Sequence, residues 1–400
     1  MKIAVTVVSS TTHLSGVSRH AANLVRCLLT RTDVSAVHLI VAQWQYESLI
    51  GALPNGDPRL QIHSVSVGTN ALSRNLWYYF RLPVLVKQLK VDLIHLAYPV
   101  PLNRHAFNCP TVVTLHDLYP YDIPANFGFP KVLFNRLILQ QCLRSVDAIA
   151  CVSESTRHQL DIYAPRLELQ KAVTIHNCVE PNESTTLQSP LPKWNGEPFL
   201  LCVAQHRRNK NILLALQVFY RLLQSGEISP VALLVVIGIE GPETARINRF
   251  IHAFGLTNHI VLLHGITDAG LQWCYEHCEL LLAPSTIEGF GLPVVEAMLH
   301  HCCIVCSDIP AFREVGGTYC HYAKLQPAAE DAFVQAIRRA RSGTNLPVPS
   351  VDRFSSPHIA SEYLQLYTRL RNGCFASGAC SHCHLVPLLE REGDYERLNK

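Results

Sequence analysis

Residues 285–298 read STIEGFGLPVVEAM, and seven residues separate its two carboxylates, Glu288 and Glu296, with a glycine turn between them. The run just before it, 279–283 (ELLLA), is short and apolar enough for a buried strand, while 291–298 has the start of a helix with Pro293 tolerated in its first turn. A strand that ends in a turn and feeds a helix is the repeating unit of a parallel sheet covered by helices. The turn 288–291 (EGFG) then presents successive backbone N–H groups beside a helix start, a setting for sugar hydroxyl oxygens or a negatively charged leaving group. Glu288 precedes this helix and Glu296 lies within it, so the spacing does not stack two carboxylates on consecutive helical turns. A shared proton or a metal is disfavoured. Local chemistry also admits a plainer reading, in which Glu288 caps the helix and Glu296 is an exposed helical residue.

The same alternation runs outward in both directions. The first half predicts strands at 2–8, 37–42, 61–66, 92–97, 111–115, 147–151 and 172–176, with helices at about 17–30, 75–89 and 130–144 between them. Prolines and small polar residues over 179–197 (VEPNESTTLQSPLPKWNGE) interrupt that pattern and mark a domain boundary. A second unit follows, with strands at 199–204, 231–237, 260–263, 279–283 and 303–306 and helices at about 210–223, 244–254, 268–277, 292–300 and 328–341. The expected organisation is a first α/β domain over 1–180, a linker over 181–198, a second over 199–350, a helix over 351–372 returning toward the first domain, and a tail over 373–400. Two such domains leave a cleft between them, and ligands of such sheets sit beyond the carboxyl ends of the strands. The chemistry belongs in the loops just after those strands.

Composition narrows the partners. At 400 residues the chain is long enough for two cores, and with Lys+Arg 34 against Asp+Glu 31 its net charge of +3 is too balanced to make nucleic acid a partner. The amino terminus reads as a buried strand without a secretory signal, and the densest apolar run, 231–239, is about half a membrane span, so the reading is cytoplasmic, with attachment to the cytoplasmic face of an inner membrane left open. Of the 15 cysteines, Cys27, Cys142, Cys151 and Cys202 sit inside hydrophobic patterns and read as reduced core thiols. The tail 374–384 (CFASGACSHCH) brings Cys374, Cys380, Cys383, His382 and His384 together, but without the paired knuckles of a zinc site, and a surface tail is the preferred reading.

Three further stretches carry candidate chemistry. Residues 205–211 (QHRRNKN) follow a strand and precede a helix, so Arg207, Arg208 and Lys210 read either as phosphate ligands or as a solvated charge run. In 12–20 (THLSGVSRH) the single glycine, Gly16, opens a helix and permits close backbone approach to a ligand, without amounting to a dinucleotide fingerprint. In 114–118 (TLHDL), His116 and Asp117 follow a strand; His116 reads as a donor to a sugar hydroxyl, as a proton-transfer group, or as half of a structural Asp–His pair. The basic aromatic stretch 74–90 (RNLWYYFRLPVLVKQLK) supports both membrane-surface contact and a core-facing helix with solvated cations.

Taken in order, these stretches resemble a known family. Residues 285–298 look like the signature of the retaining, nucleotide-sugar-dependent glycosyltransferases numbered family 4 (glycosyl transferases group 1), which have the GT-B fold of two Rossmann-like domains facing an interdomain cleft. Residues 307–316 (SDIPAFREVG) look like its continuation and 203–211 like its phosphate-contacting segment, and 15–24, 91–95, 111–117 and 150–157 fit in order. The resemblance implies that Glu288, Gly289, Phe290, Gly291 and His116 surround the donor sugar, and that Gly16, Arg207, Arg208, Lys210, Gly291 and Leu292 hold the diphosphate. It further implies that Glu296 binds the ribose and that His116, Lys210 and Glu288 are the catalytic set. No metal and no cofactor are implied beyond a GDP-, UDP- or dTDP-sugar as substrate. The implied reaction moves mannose, glucose or rhamnose to a hydroxyl of a saccharide or lipid-linked saccharide in surface polysaccharide synthesis. A non-catalytic nucleotide-sugar-binding subunit and a nucleotide-sugar isomerase or epimerase of similar fold are the alternatives. The chain departs from the family at Gln205, where arginine is usual, at Cys178, where glycine is common, and at His301, where glycine is expected.

Overall fold

A computed structural model describes residues 1–12, 15–54, 56–165, 167, 169–180, 187–191, 194–343 and 350–373. The cysteine- and histidine-containing segment 374–384 lies outside the described residues. Seven strands form the first sheet: β1 (Lys2–Thr6), β2 (Ala36–Ala42), β3 (Leu60–Val65), β4 (Leu93–Leu96), β5 (Thr111–Leu115), β6 (Ala148–Cys151) and β7 (Ala172–Thr174). Six form the second: β8 (Phe199–Val203), β9 (Leu233–Ile237), β10 (Ile260–Leu263), β11 (Leu280–Ala283), β12 (Ile304–Ser307) and β13 (His321–Ala323). All the pairings are parallel, in the orders β3-β2-β1-β4-β5-β6-β7 and β10-β9-β8-β11-β12-β13. Their central strands are buried on both faces, which is why they read as continuous apolar runs rather than alternating ones. In each sheet the strand order reverses beside its first strand, between β1 and β4 and between β8 and β11, and a crevice opens there at the carboxyl ends. The result is two Rossmann-like domains flanking a cleft.

The helix Ser356–Arg371 joins the core of the first sheet, where Tyr363, Leu364 and Tyr367 pack with Ile3, Val5 and Leu24. Burying each such side chain contributes roughly 1.5–3 kcal/mol, enough to hold this helix on the first domain. Cys27, Cys142, Cys151 and Cys202 are buried and unbridged. No helix among the described residues is long and apolar enough to cross a membrane.

Several local readings change. The helix expected from residue 210 begins at Ile212; residues Arg208–Lys210 form a tight turn and Asn211 takes a left-handed conformation, φ 52°. Lys210 is thereby released from the helix and directed toward the cleft. The helix expected at 75–89 starts at Ala71 and contains a π turn over Trp77–Arg81. His301 has φ 52°, which explains why glycine is favoured there: the chain leaves the helix Leu292–Leu299 through a left-handed residue, and histidine adopts it at a steric cost.

Candidate active site

The loop between β11 and the helix Leu292–Leu299 is built by close approach. Gly291 has φ 106°, and a Cβ there would lie 2.9 Å from the Phe312 ring, so the turn that aims the helix start depends on glycine. Gly289 faces the first domain: a Cβ on it would overlap the His116 carbonyl oxygen, while its own carbonyl accepts hydroxyl protons from Ser153 (2.5 Å) and Thr156 (3.0 Å). The loops after β5 and β6 therefore grip this turn from across the cleft. Phe290 is buried and packs against Phe354, so its ring belongs to the core and only its backbone is available to a ligand.

Glu288 is 8% exposed and its charge is fully engaged. Its Oε1 accepts from Lys210 Nζ (2.5 Å) and from Ser285 Oγ (2.7 Å), and its Oε2 faces the Tyr119 hydroxyl at 3.4 Å. A carboxylate buried this far requires such partners, and here they come from β11's own loop, from the turn after β8 and from the opposite domain. Burial and the neighbouring Glu288 push the Tyr119 phenol well above its usual range, so it remains a donor at neutral pH.

Glu296 has a different neighbourhood. It accepts from the Tyr275 hydroxyl at 2.8 Å, and burial raises its carboxyl above the ordinary range, against the opposing pull of Tyr275 and Arg19. Arg19, on the first-domain helix Gly16–Leu29, also pairs across the cleft with Asp268 at 2.8 Å. Gly16 is the first residue of that helix, and a Cβ there would meet no atom within 4 Å. The start of the first-domain helix, Arg19 and Glu296 thus lie on one side of the cleft, and Lys210, Glu288 and Tyr119 on another. The helix Leu292–Leu299, which carries Glu296, begins without a side-chain cap; Pro293 has no N–H and those of Val294 and Val295 donate to the Gly291 carbonyl, which leaves the Leu292 N–H as the first-turn donor for a ligand.

His116 donates Nε2–H to the Ala97 carbonyl at 2.9 Å, because a carbonyl can only accept. Burial lowers its pKa to about 4, so it is neutral at pH 7 and its Nδ1 is an acceptor. A ligand hydroxyl meeting Nδ1 would have to donate to it, the opposite sense to the donation expected from the sequence. Behind it, the His20 ring meets His116 edge to face, with centroids 4.7 Å apart. A directed chain of hydrogen bonds fixes His20. Tyr367 donates to His95 Nδ1 (2.5 Å), His95 Nε2 donates to Thr114 (2.7 Å), Thr114 donates to His20 Nε2 (3.0 Å) and His20 Nδ1 donates to Asn177 Oδ1 (2.8 Å). Each hydroxyl has one proton to give, and this is the order that leaves both imidazoles neutral.

That arrangement has a pH signature. Burial lowers His95 to about 3 and His116 to about 4, whereas both titrate near 6.5 when unfolded. The folded state therefore loses stability as pH falls from about 6.5, with His116 alone worth on the order of 3 kcal/mol near pH 4. Asp117 acts in the opposite sense. Burial raises it to about 6, so the penalty for its charge is relieved as pH falls through that value. Chemical denaturation across this range is expected to show a net acid loss, steeper in Asp117→Asn than in the parent; a shallower acid limb in that variant contradicts the assignment.

Arg207 lies close enough to Asp117 and Tyr119 to pull both pKa values down, whereas Arg208 joins it, Arg246 and Arg249 around a cavity of about 520 Å³ with Phe250 at its side. Lys210 is the cation of this loop bonded to Glu288. Ser285, Tyr119, Tyr275 and Arg19 were not singled out from sequence. Ser285 and Tyr119 flank segments already suspected, but nothing in their spacing links Arg19 or Tyr275 to Glu296. Among the described residues no group of three or more His, Cys, Asp or Glu side chains converges as a metal site.

Two Rossmann-like sheets with a polar cleft at their switch points define the GT-B architecture, and solved structures of that kind match along most of the chain. WaaG, titled a glycosyltransferase involved in lipopolysaccharide biosynthesis, superposes with a TM-score of 0.63 at 15% identity, covering 94% of this chain and 100% of that one. Two family models divide the sequence between them, Glycosyltransferase Family 4 over residues 14–183 and Glycosyl transferases group 1 over 184–348. The chain belongs to these nucleotide-sugar-dependent GT-B glycosyltransferases. Among curated proteins it is 24% identical over 337 residues to the O-antigen chain mannosyltransferase RfbU of Salmonella typhimurium, covering 81% of this chain and 86% of that one. It is also 28% identical over 232 residues to the serotype-specific mannosyltransferase WbdA of Escherichia coli, covering 55% of this chain and 28% of that one.

Proposed function

We propose that the chain transfers a sugar, with mannose the leading choice, from a nucleoside-diphosphate donor to a hydroxyl of a lipid-linked saccharide during surface polysaccharide synthesis, with retention of anomeric configuration and without a metal. The observation that carries this reading is the Lys210–Glu288 pair, 2.5 Å apart in the cleft beneath the turn at 288–291. Each group holds the other where a donor needs both. Arrival of the diphosphate gives Lys210 a second anionic partner, with Arg207 and the Leu292 N–H beside it, and turns Glu288 toward the hydroxyls of the sugar. Glu296 is suited to the ribose, whose hydroxyls replace or share its bond from Tyr275.

As the glycosidic C–O bond breaks, negative charge grows on the departing diphosphate oxygen, where Lys210 and Arg207 stabilise it. The acceptor hydroxyl approaches the face being vacated, forms the new C–O bond and gives its proton to that diphosphate oxygen. The neutral His116 holds a sugar hydroxyl through Nδ1 and takes no proton. Mannose is favoured because RfbU and WbdA are both named mannosyltransferases. Release of nucleoside diphosphate should be measured against GDP-mannose and the UDP- and dTDP-linked sugars, each with and without a lipid-linked saccharide. Release that depends on acceptor supports the reading; donor binding without turnover, or rearrangement of the donor with no transfer product, supports a binding subunit or an isomerase instead.

A further inference from the structure

The geometry points to a docking surface for an anionic lipid bilayer, formed by the outer sides of two helices on one face of the first sheet. The helical segment from Ala71 to Leu89 and the helix Lys131–Ser145 both bury one side against that face, through Tyr78, Leu82 and Val86 in the first and Leu139, Cys142 and Leu143 in the second. Their opposite sides are exposed and apolar. Leu72 (69% exposed), Leu76, Phe80 and Val84 recur every four residues along the first. In an unbroken α-helix that spacing drifts about 40° per step, or about 120° over the three steps. The π turn Trp77–Arg81 takes up one extra residue, about 100° of the drift. Leu72 and Val84 consequently stay close to one line, and the turn keeps an apolar stripe straight that α-helical geometry alone would wind around the helix.

The second segment adds Phe129 (83% exposed), Phe134 and Leu137 (66% exposed). The charge carried by these two helices has one sign. Residues 71–90 and 131–145 contain no aspartate or glutamate, while Arg81, Lys87, Lys90, Lys131 and Arg144 are exposed around the apolar side chains. A protein partner would have to match that charge from its own acids. Anionic headgroups above an acyl layer match the cations and the apolar stripe together. This surface takes its purpose, access to a lipid-linked acceptor, from the function proposed above, but not its evidence.

The test uses the full chain and vesicles of phosphatidylcholine with or without phosphatidylglycerol. Cosedimentation is expected only with phosphatidylglycerol, falling on the order of tenfold in Lys87→Ser with Lys90→Asn, the asparagine suiting the left-handed φ of 52° at Lys90. Phe80→Ser with Leu137→Ser is expected to lower it comparably, and Val231→Ser, an exposed apolar residue of the second domain, to leave it unchanged. All these side chains are exposed, so thermal melts should not move. Absence of cosedimentation in the parent, equal binding by every variant, or a dimer that Phe80→Ser with Leu137→Ser dissociates while vesicles remain unbound, each overturns the proposal. No donor or acceptor enters the assay, so its failure leaves the proposed transfer reaction standing.

Discussion

Replacing Lys210 with alanine is expected to lower turnover by on the order of 10²–10³, the range for losing one preorganised group that stabilises charge growing in the transition state. The same change removes the 2.5 Å partner of a carboxylate that is 8% exposed, so part of any loss reflects an unbalanced charge rather than a lost catalyst. A double-mutant cycle separates the two. Glu288→Ala alone is expected to cost a comparable factor through lost sugar contacts. If the pair is only structural, removing both restores stability and activity together. If Lys210 acts on the leaving diphosphate, the double variant regains thermal stability relative to Lys210→Ala but stays inactive. Near-parental turnover in both single variants sinks the assignment.

The second large effect is expected from a single methyl group. Gly289→Ala places a Cβ into the His116 carbonyl oxygen across the cleft, where backbone rather than a flexible side chain stands in the way. The turn must retreat, and its carbonyl then loses the hydroxyl donors Ser153 and Thr156. Each domain keeps its own core, so circular dichroism should be unchanged. Turnover should fall by on the order of 10², because a shift of about 1 Å in positioning groups costs that much. A fully active Gly289→Ala enzyme shows that the two domains do not close on this turn during transfer.

The parallel sheets were legible because their central strands are buried on both faces and appear as short unbroken apolar runs, whereas the edge strands β3 and β10 are only partly covered. β13, with three residues, and the helices Glu154–Tyr163 and Pro310–Gly316 were not, since such short elements are held by packing more than by pattern. Glu288 and Lys210 stood out because each lies next to a strand end, where a charged residue needs a reason. Their direct bond did not, for it joins residues from loops after two neighbouring strands, β8 and β11. Tyr119 and Arg19 reach the cleft from the other domain, and no local spacing encodes a contact that forms only when two domains face each other. The buried chain from Tyr367 to Asn177 draws on five separate segments, and its histidines, His95 in an apolar strand and His20 in a helix, have no local spacing that links them.

The most direct test of the account is the stereochemistry of the product. The enzyme should be given the nucleotide sugar it consumes fastest with a lipid-linked saccharide, and the anomeric proton of the new linkage followed by NMR from the first turnovers. The account predicts an α-linked product from an α-linked donor, with nucleoside diphosphate released in equal amount and undiminished by a metal chelator. A first product of anomeric configuration opposite to the donor's, or donor consumption with no new glycosidic bond, contradicts it.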